Sequence, residues 1–278
     1  MKKTITILFK TQLLVGLLLL AGFTNSIQAS PPPSSGLIGQ WTFEQGVELK
    51  DLTGNFADLV LTGATVANGQ LNVDNSSTYA IAQGYSGATI GEKTLVSWIY
   101  LEDLDVQKGS ALTIDGITSL PFDGIVYGEQ QSHRWMAGSS FFDRTQTPNP
   151  GYEETTTGQL IKMAISYENN GGNAHIKIYH NDSLIGDYTY GAMAYWNAND
   201  TEIIFGARFR LPSGATFDAL DAKIEEARIY NRVLSAQEIE SLQPYSPPAP
   251  VIPLSNWALY FGIFLILVFT AMRFRRIV

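Results

Sequence analysis

The side chains in this chain that could do chemistry are a carboxylate on an apolar row, three histidines and a run of tyrosines. In Ile224–Glu225–Glu226–Ala227–Arg228–Ile229–Tyr230, a period of two puts Glu225, Ala227 and Ile229 on one side of a strand and Glu226, Arg228 and Tyr230 on the other. Glu225 then shares its row with apolar residues. A carboxylate there is costly unless a cation or hydrogen-bond donors meet it. The histidines are His133, His175 and His180. The odd spacing of the last two places them on opposite faces of one strand, so they cannot grip a metal together. No His-Glu-x-x-His, Gly-x-Ser-x-Gly or phosphate-cradling glycine loop accompanies them, and they read as polar rim residues. With no cysteine in 278 residues, thiol nucleophiles, zinc-finger clusters and iron–sulfur sites are excluded together. Sugar recognition needs a flat aromatic face for C–H patches and amides or carboxylates for hydroxyls. The run Tyr188 to Asp200 supplies both, with Tyr190, Tyr195, Trp196 and Asn197 as candidate binding residues. A second candidate is Arg134–Trp135 with Phe141 and Phe142 beyond it.

The elements that must position these groups are strands. In Leu160–Tyr167, Ile161, Met163, Ile165 and Tyr167 point one way and Leu160, Lys162, Ala164 and Ser166 the other. Ala57–Thr62, Thr94–Leu101 and Ile176–Tyr179 alternate likewise, and turn residues separate them at Asn68–Gly69, Asn169–Asn170–Gly171–Gly172 and Asn181–Asp182. Short strands with frequent turns predict an all-β, two-sheet antiparallel sandwich. Trp41 and Trp98 are expected in its core. One helix is predicted, because Ser235–Ala236–Gln237–Glu238 has capping-box spacing ahead of Ile239 and Leu242.

The ends read as addresses. Residues 1–29 carry Lys2 and Lys3, an apolar stretch from Leu13 to Ala21 and a small residue at Ala29, the three parts of a secretory signal peptide. Residues 30–36 form a Pro/Ser linker, 37–243 the folded domain, 244–256 a Pro-rich linker and 257–278 an apolar helix with an Arg-rich tail. From Trp257 to Met272 no residue is charged, and Arg273, Arg275 and Arg276 follow. That run reaches roughly 24 Å against a hydrocarbon core of about 30 Å, so it spans only with help from its flanks. Arginines after the run and lysines before the signal core both mark the cytoplasmic side. The expectation is a single-pass inner-membrane protein with its domain exported to the periplasmic or extracellular side, or released to the cell surface after sorting.

Six of the 18 basic residues lie in 1–29 and 251–278, which hold no acid. The span 30–250 therefore carries 12 basic against 26 acidic residues, a net charge of −14. Such a segment repels phosphate backbones, which sets nucleic acid aside as a partner.

Three stretches carry a family resemblance: Gly39–Gln40–Trp41–Thr42–Phe43–Glu44, Leu95–Val96–Ser97–Trp98–Ile99, and the closing Ile224–Glu225–Glu226–Ala227–Arg228–Ile229–Tyr230–Asn231–Arg232–Val233–Leu234–Ser235. In that order, with Asp51–Leu52–Thr53–Gly54 after the first, they resemble the laminin G-like domains of the concanavalin A-like jelly-roll superfamily over nearly all of 37–242. The resemblance implies a structural Ca²⁺ held by an acid at the closing strand and the Asp-x-x-Gly loop, here Glu225 and Asp51 with Glu44 and Asn55 as further oxygen donors. Laminarinase-type members write Glu-x-Asp-x-x-Glu on one strand. The nearest run here, Glu102–Asp103–Leu104–Asp105, ends at Gln107 and predicts a solvated loop. At the other end, Ile252, Pro253, Leu254, Ser255 and Trp257 before an apolar helix resemble the IPTL-CTERM and PEP-CTERM sorting signals, which implies a sorting protease as partner. The expected function is a membrane-anchored module that binds polysaccharide or glycoconjugate, with no enzyme activity. The alternatives are a glycoside hydrolase or a purely structural envelope protein.

Overall fold

The segment Leu160 to Asn170 shows how alternation becomes structure. Ile161, Met163, Ile165 and Tyr167 enter the main core, while Ala164 joins a second apolar layer on the opposite face. The computed structural model describes residues 33–74, 78–119, 121–246 and 256–275. The expected signal peptide and the motif positions Ile252, Pro253, Leu254 and Ser255 lie outside the described residues.

The chain divides into two units, Met1–Tyr245 and Ser246–Val278. The strands of the first are β1 (Leu37–Trp41), β2 (Val60–Thr62), β3 (Thr65–Ala67), β4 (Gln70–Val73), β5 (Tyr79–Ala82), β6 (Lys93–Leu101), β7 (Ser110–Gly116) and β8 (Phe122–Tyr127). They continue as β9 (Trp135–Ser139), β10 (Leu160–Asn170), β11 (Asn173–His180), β12 (Ser183–Ala192), β13 (Thr201–Gly206), β14 (Phe209–Arg210), β15 (Thr216–Phe217) and β16 (Ala222–Tyr230). An eight-stranded sheet runs β12-β11-β10-β6-β16-β4-β3, with β1 pairing to the far half of the β16 edge. A six-stranded sheet runs β2-β5-β13-β7-β8-β9, and β14 and β15 form a separate hairpin. The sheet pairings are antiparallel throughout, and the inward rows of the two sheets, with Trp41, Leu95, Ile114, Ile125, Ile165, Phe205 and Ile229, form one apolar interior.

The outer face of the larger sheet is covered as well. Val96, Trp98, Ala164, Tyr179 and Tyr230 pack beneath Ile239 of helix α1 (Ala236–Ser241) and the flanking Leu234 and Leu242. Ser235 caps that helix: its hydroxyl accepts from the Glu238 N–H and the Glu238 carboxylate accepts from the Ser235 N–H. Buried Lys162 closes the other end by donating to the carbonyls of Ile239 (2.6 Å) and Leu242 (3.1 Å). Past α1, Arg228 donates to the Gln243 carbonyl at 2.8 Å, and the Tyr245 N–H donates to Glu226.

The second unit contains helix α2 (Asn256–Arg275), on which Tyr260, Phe264, Ile266 and Leu267 are exposed. Among the described residues, no helix is long and apolar enough to cross a membrane.

Candidate functional site

Four aromatic side chains stand out from one end of the sandwich. Strand β12 is an edge strand, and its register against β11 gains one residue between Thr189 and Ala192. The resulting bulge, with Gly191 at φ +70°, turns Tyr190 outward to 46% exposure. A Cβ on Gly191 would lie 1.9 Å from the Asp143 carbonyl oxygen, so the loop after β9 rests directly on this glycine. In that loop a 3-10 turn, Ser140–Phe142, presents Phe141 (81% exposed) and Phe142 (42% exposed). Both have positive φ, +50° and +59°, a conformation bulky residues adopt at a cost of about 1–3 kcal/mol each.

Arg144 holds the strained loop in place. Its guanidinium donates to Asp123 Oδ1 at 2.7 Å, to the Phe122 carbonyl at 3.1 Å and to the Ala192 carbonyl at 3.3 Å. The Arg144 carbonyl accepts from the Tyr188 hydroxyl at 3.1 Å, which ties the loop to β12. Tyr195, 53% exposed, lies over Gly91, and its hydroxyl accepts from Asn169 at 3.5 Å. Asn197, also exposed, accepts from the Thr89 hydroxyl at 2.8 Å.

Trp196 departs from the expectation. Its backbone pairs with Ile90 in both directions, and with Tyr195 facing out the next side chain must face in. The indole is only 2% exposed and covers the Lys93 ammonium, so it offers no face to a ligand from solvent. Trp135 is buried too, its indole donating to Glu154 at 3.0 Å. His180, expected at a rim, is buried and contacts the same Glu154 oxygen at 2.9 Å, whereas His175 lies partly exposed between Glu168 and Asp187.

Of the expected calcium ligands, Asp51 and Asn55 are hydrogen-bonded to each other, but Glu44, Asp51 and Glu225 do not form one group of acids. Both oxygens of Asp51 are taken by donors: the N–H groups of Gln40 and Thr53 on Oδ1, and the Thr53 hydroxyl with the N–H groups of Asn55 and Phe56 on Oδ2. A cation at that carboxylate would have to displace hydrogen-bond donors, and the Asn55 amide nitrogen is turned to the Ile38 carbonyl. Glu225 is not on the core row, because the register of β16 against β6 shifts between Ile224 and Glu226 and leaves Glu225 as the extra residue of a bulge. It is partly exposed and accepts from Gln70 at 2.7 Å, while Glu44 lies against Gly69. Among the described residues no group of three or more His, Cys, Asp or Glu side chains could hold a metal ion. As the residues stand, both Asp51 oxygens are occupied by hydrogen-bond donors.

A row of acids that sequence reasoning missed lies on the outer face of the smaller sheet. Asp115 on β7 and Glu202 on β13 are directly opposite in register and are both buried. The β14–β15 hairpin covers them. Arg210 donates its N–H to Asp115 at 2.8 Å and its guanidinium to both Glu202 oxygens at 3.1 and 3.2 Å, and Gln83 adds a bond to Glu202 at 2.6 Å. Burial, reinforced by the facing Glu202, pushes the Asp115 carboxyl up to about 8, against the N–H donors of Arg210 and Gly116. Burial likewise raises Glu129 to about 7, against the Thr145 hydroxyl and Arg208. Stacked rings of Phe122, Phe209 and Phe217 fasten the hairpin. Alternation alone places Asp115 and Glu202 outward, and no signal in the sequence says that this outward face is covered.

The chain matches the family model Laminin_G_3 of the concanavalin A-like lectin/glucanases superfamily over residues 62–240. It belongs to that superfamily. No curated protein sequence matches it. Solved structures of similar fold include Trypanosoma rangeli sialidase in complex with 2,3-difluorosialic acid, 14% identical over 77% of this chain and 34% of that one, with a TM-score of 0.56. The binding domain of Paraclostridial Mosquitocidal Protein 1 is 16% identical over 74% of this chain and 51% of that one, with a TM-score of 0.50. Domain 4 of AbnA, a GH43 extracellular arabinanase from Geobacillus stearothermophilus, in complex with arabinotriose, is 18% identical over 74% of this chain and 97% of that one, with a TM-score of 0.48. The chain thus spans about a third of the sialidase, and at these identities the likeness concerns the fold.

Proposed function

We propose that this protein is an exported, membrane-tethered module that binds polysaccharide or glycoconjugate through the aromatic rim Phe141, Phe142, Tyr190 and Tyr195. The observation that carries the reading is that these four rings are exposed on segments hydrogen-bonded to one another, two of them on a strained backbone held from below by Arg144. Exposed rings offer flat apolar faces to sugar C–H patches, and Asn169 and Asn197 beside Tyr195 supply amides for hydroxyls. Membership of a lectin and glucanase superfamily supports the same substrate class.

Affinity electrophoresis of the purified protein through a panel of polysaccharides tests this. At least one polymer should retard the protein, and the double variant F141A/Y190A should weaken retention by about tenfold if each ring contributes about 0.5–1 kcal/mol. No retardation by any polymer would sink the reading in favour of a purely structural envelope role. A hydrolytic reading has one observation on its side, the facing carboxylates Asp115 and Glu202. It requires the β14–β15 hairpin to lift, and release of reducing sugar from the same panel would be its signature.

A further inference from the structure

Between the two sheets, and unused by the rim, lies a buried lysine against a buried aspartate. Lys93 opens β6 on its inward row, opposite Tyr167 in the β10 register. Asp123 occupies the inward row of β8 with Ile125 and Tyr127, opposite Ile114 of β7 and Ser139 of β9. Both side chains are 0% exposed, and Lys93 Nζ is 2.7 Å from Asp123 Oδ2. The two form a buried ion pair, and neither atom has a further hydrogen-bond partner. The rings of Tyr167 and Trp196 flank Nζ, each centroid 4.1 Å away, and Arg144 Nε holds the other carboxylate oxygen at 2.7 Å.

The geometry points to an intramolecular amide between Lys93 Nζ and Asp123 Cγ, a self-catalysed cross-link that joins the two sheets. The charged pair first neutralises: one proton passes from Nζ to Oδ2 across their contact, which low-dielectric surroundings favour. The freed lone pair adds to Cγ, and the negative charge developing on Oδ1 falls on the Arg144 guanidinium already bonded there. A second proton moves from Nζ to Oδ2, the Cγ–Oδ2 bond breaks, and one water leaves. The product is a neutral amide with one hydrogen on nitrogen, its carbonyl oxygen still facing Arg144. Ammonium and carboxylate have become amide and water, with no oxidant or co-reactant. Two features favour the forward direction. Groups fixed in contact react with effective molarities of about 10⁵–10⁸ M. Burial also brings the Lys93 amine down to about 8, against the raising effect of Asp123, so the neutral nucleophile is within reach near neutral pH.

Mass spectrometry of the purified full chain decides the matter. The wild-type protein should be lighter by one water than its sequence requires, relative to the K93R and D123A variants, whose masses should agree with theirs. Terminal processing cancels in that comparison. A tryptic digest of the wild type should yield a branched peptide joining Lys93 to Asp123, with no cleavage after Lys93. That second readout needs no variant to fold. A wild-type mass showing no loss of water, with the two peptides recovered separately after prolonged incubation of the folded protein, would overturn the proposal and leave a buried ion pair.

Discussion

Asp115 ties the stability of this protein to pH. Its folded pKa of about 8 stands above the unfolded value near 4, so the folded state holds the proton more tightly. The stability it confers is present at acid pH and is lost as the pH rises from about 4 through about 8. Glu129, raised to about 7, acts in the same direction. Lys93, lowered to about 8 as a free amine and not titrating as an amide, acts oppositely at most above that value, which leaves pH 5 to 8 as the informative window. Urea unfolding should give a lower midpoint at pH 8 than at pH 5, and D115N should flatten the difference. An unchanged slope in D115N would mean that another group controls it. None of this was legible in the sequence, where Asp115 is one polar residue beside Gly116. Its titration follows from a hairpin whose Arg210 is 95 positions away.

At the scale of elements, the sequence was informative wherever a local rule operates and silent wherever a register shift intervenes. The Ser235 capping box needs only three residues of spacing, and both of its bonds form. S235A should cost about 1 kcal/mol. Hydrogen exchange would localise that loss to α1 and leave β6 and β10 protected, and uniform loss of protection would refute it. The Leu160–Tyr167 alternation likewise predicted the inward row correctly. In β16 the same rule failed at one residue. Ala227 and Ile229 face the core as expected, but a bulge before Glu226 removes Glu225 from their row, and the candidate ligand set went with it. Whether a run such as Ile224–Glu225–Glu226 absorbs an extra residue depends on the partner strand. All four rim rings were named by type, as two separate candidates, whereas the inward turn of Trp196 follows from pairing with Ile90 and the closeness of the two candidates from the bulge at Gly191.

For the whole molecule, fold class and superfamily were readable because two inward rows and a specific closing run extend across the domain. The placement of the protein in the cell rests on its ends. If 251–278 is the tether, deleting it should shift the protein from the membrane pellet to the soluble exported fraction, and immunoblotting of fractions would show this. An unchanged distribution would sink the tether. The path of the chain before that segment has a mechanical consequence. Tension applied through the C-terminal residues first meets the Gln243–Arg228 and Tyr245–Glu226 ties to β16 and then helix α1. If α1 peels away under such a load, Trp98, Val96 and Tyr230, which it covers, become open to solvent.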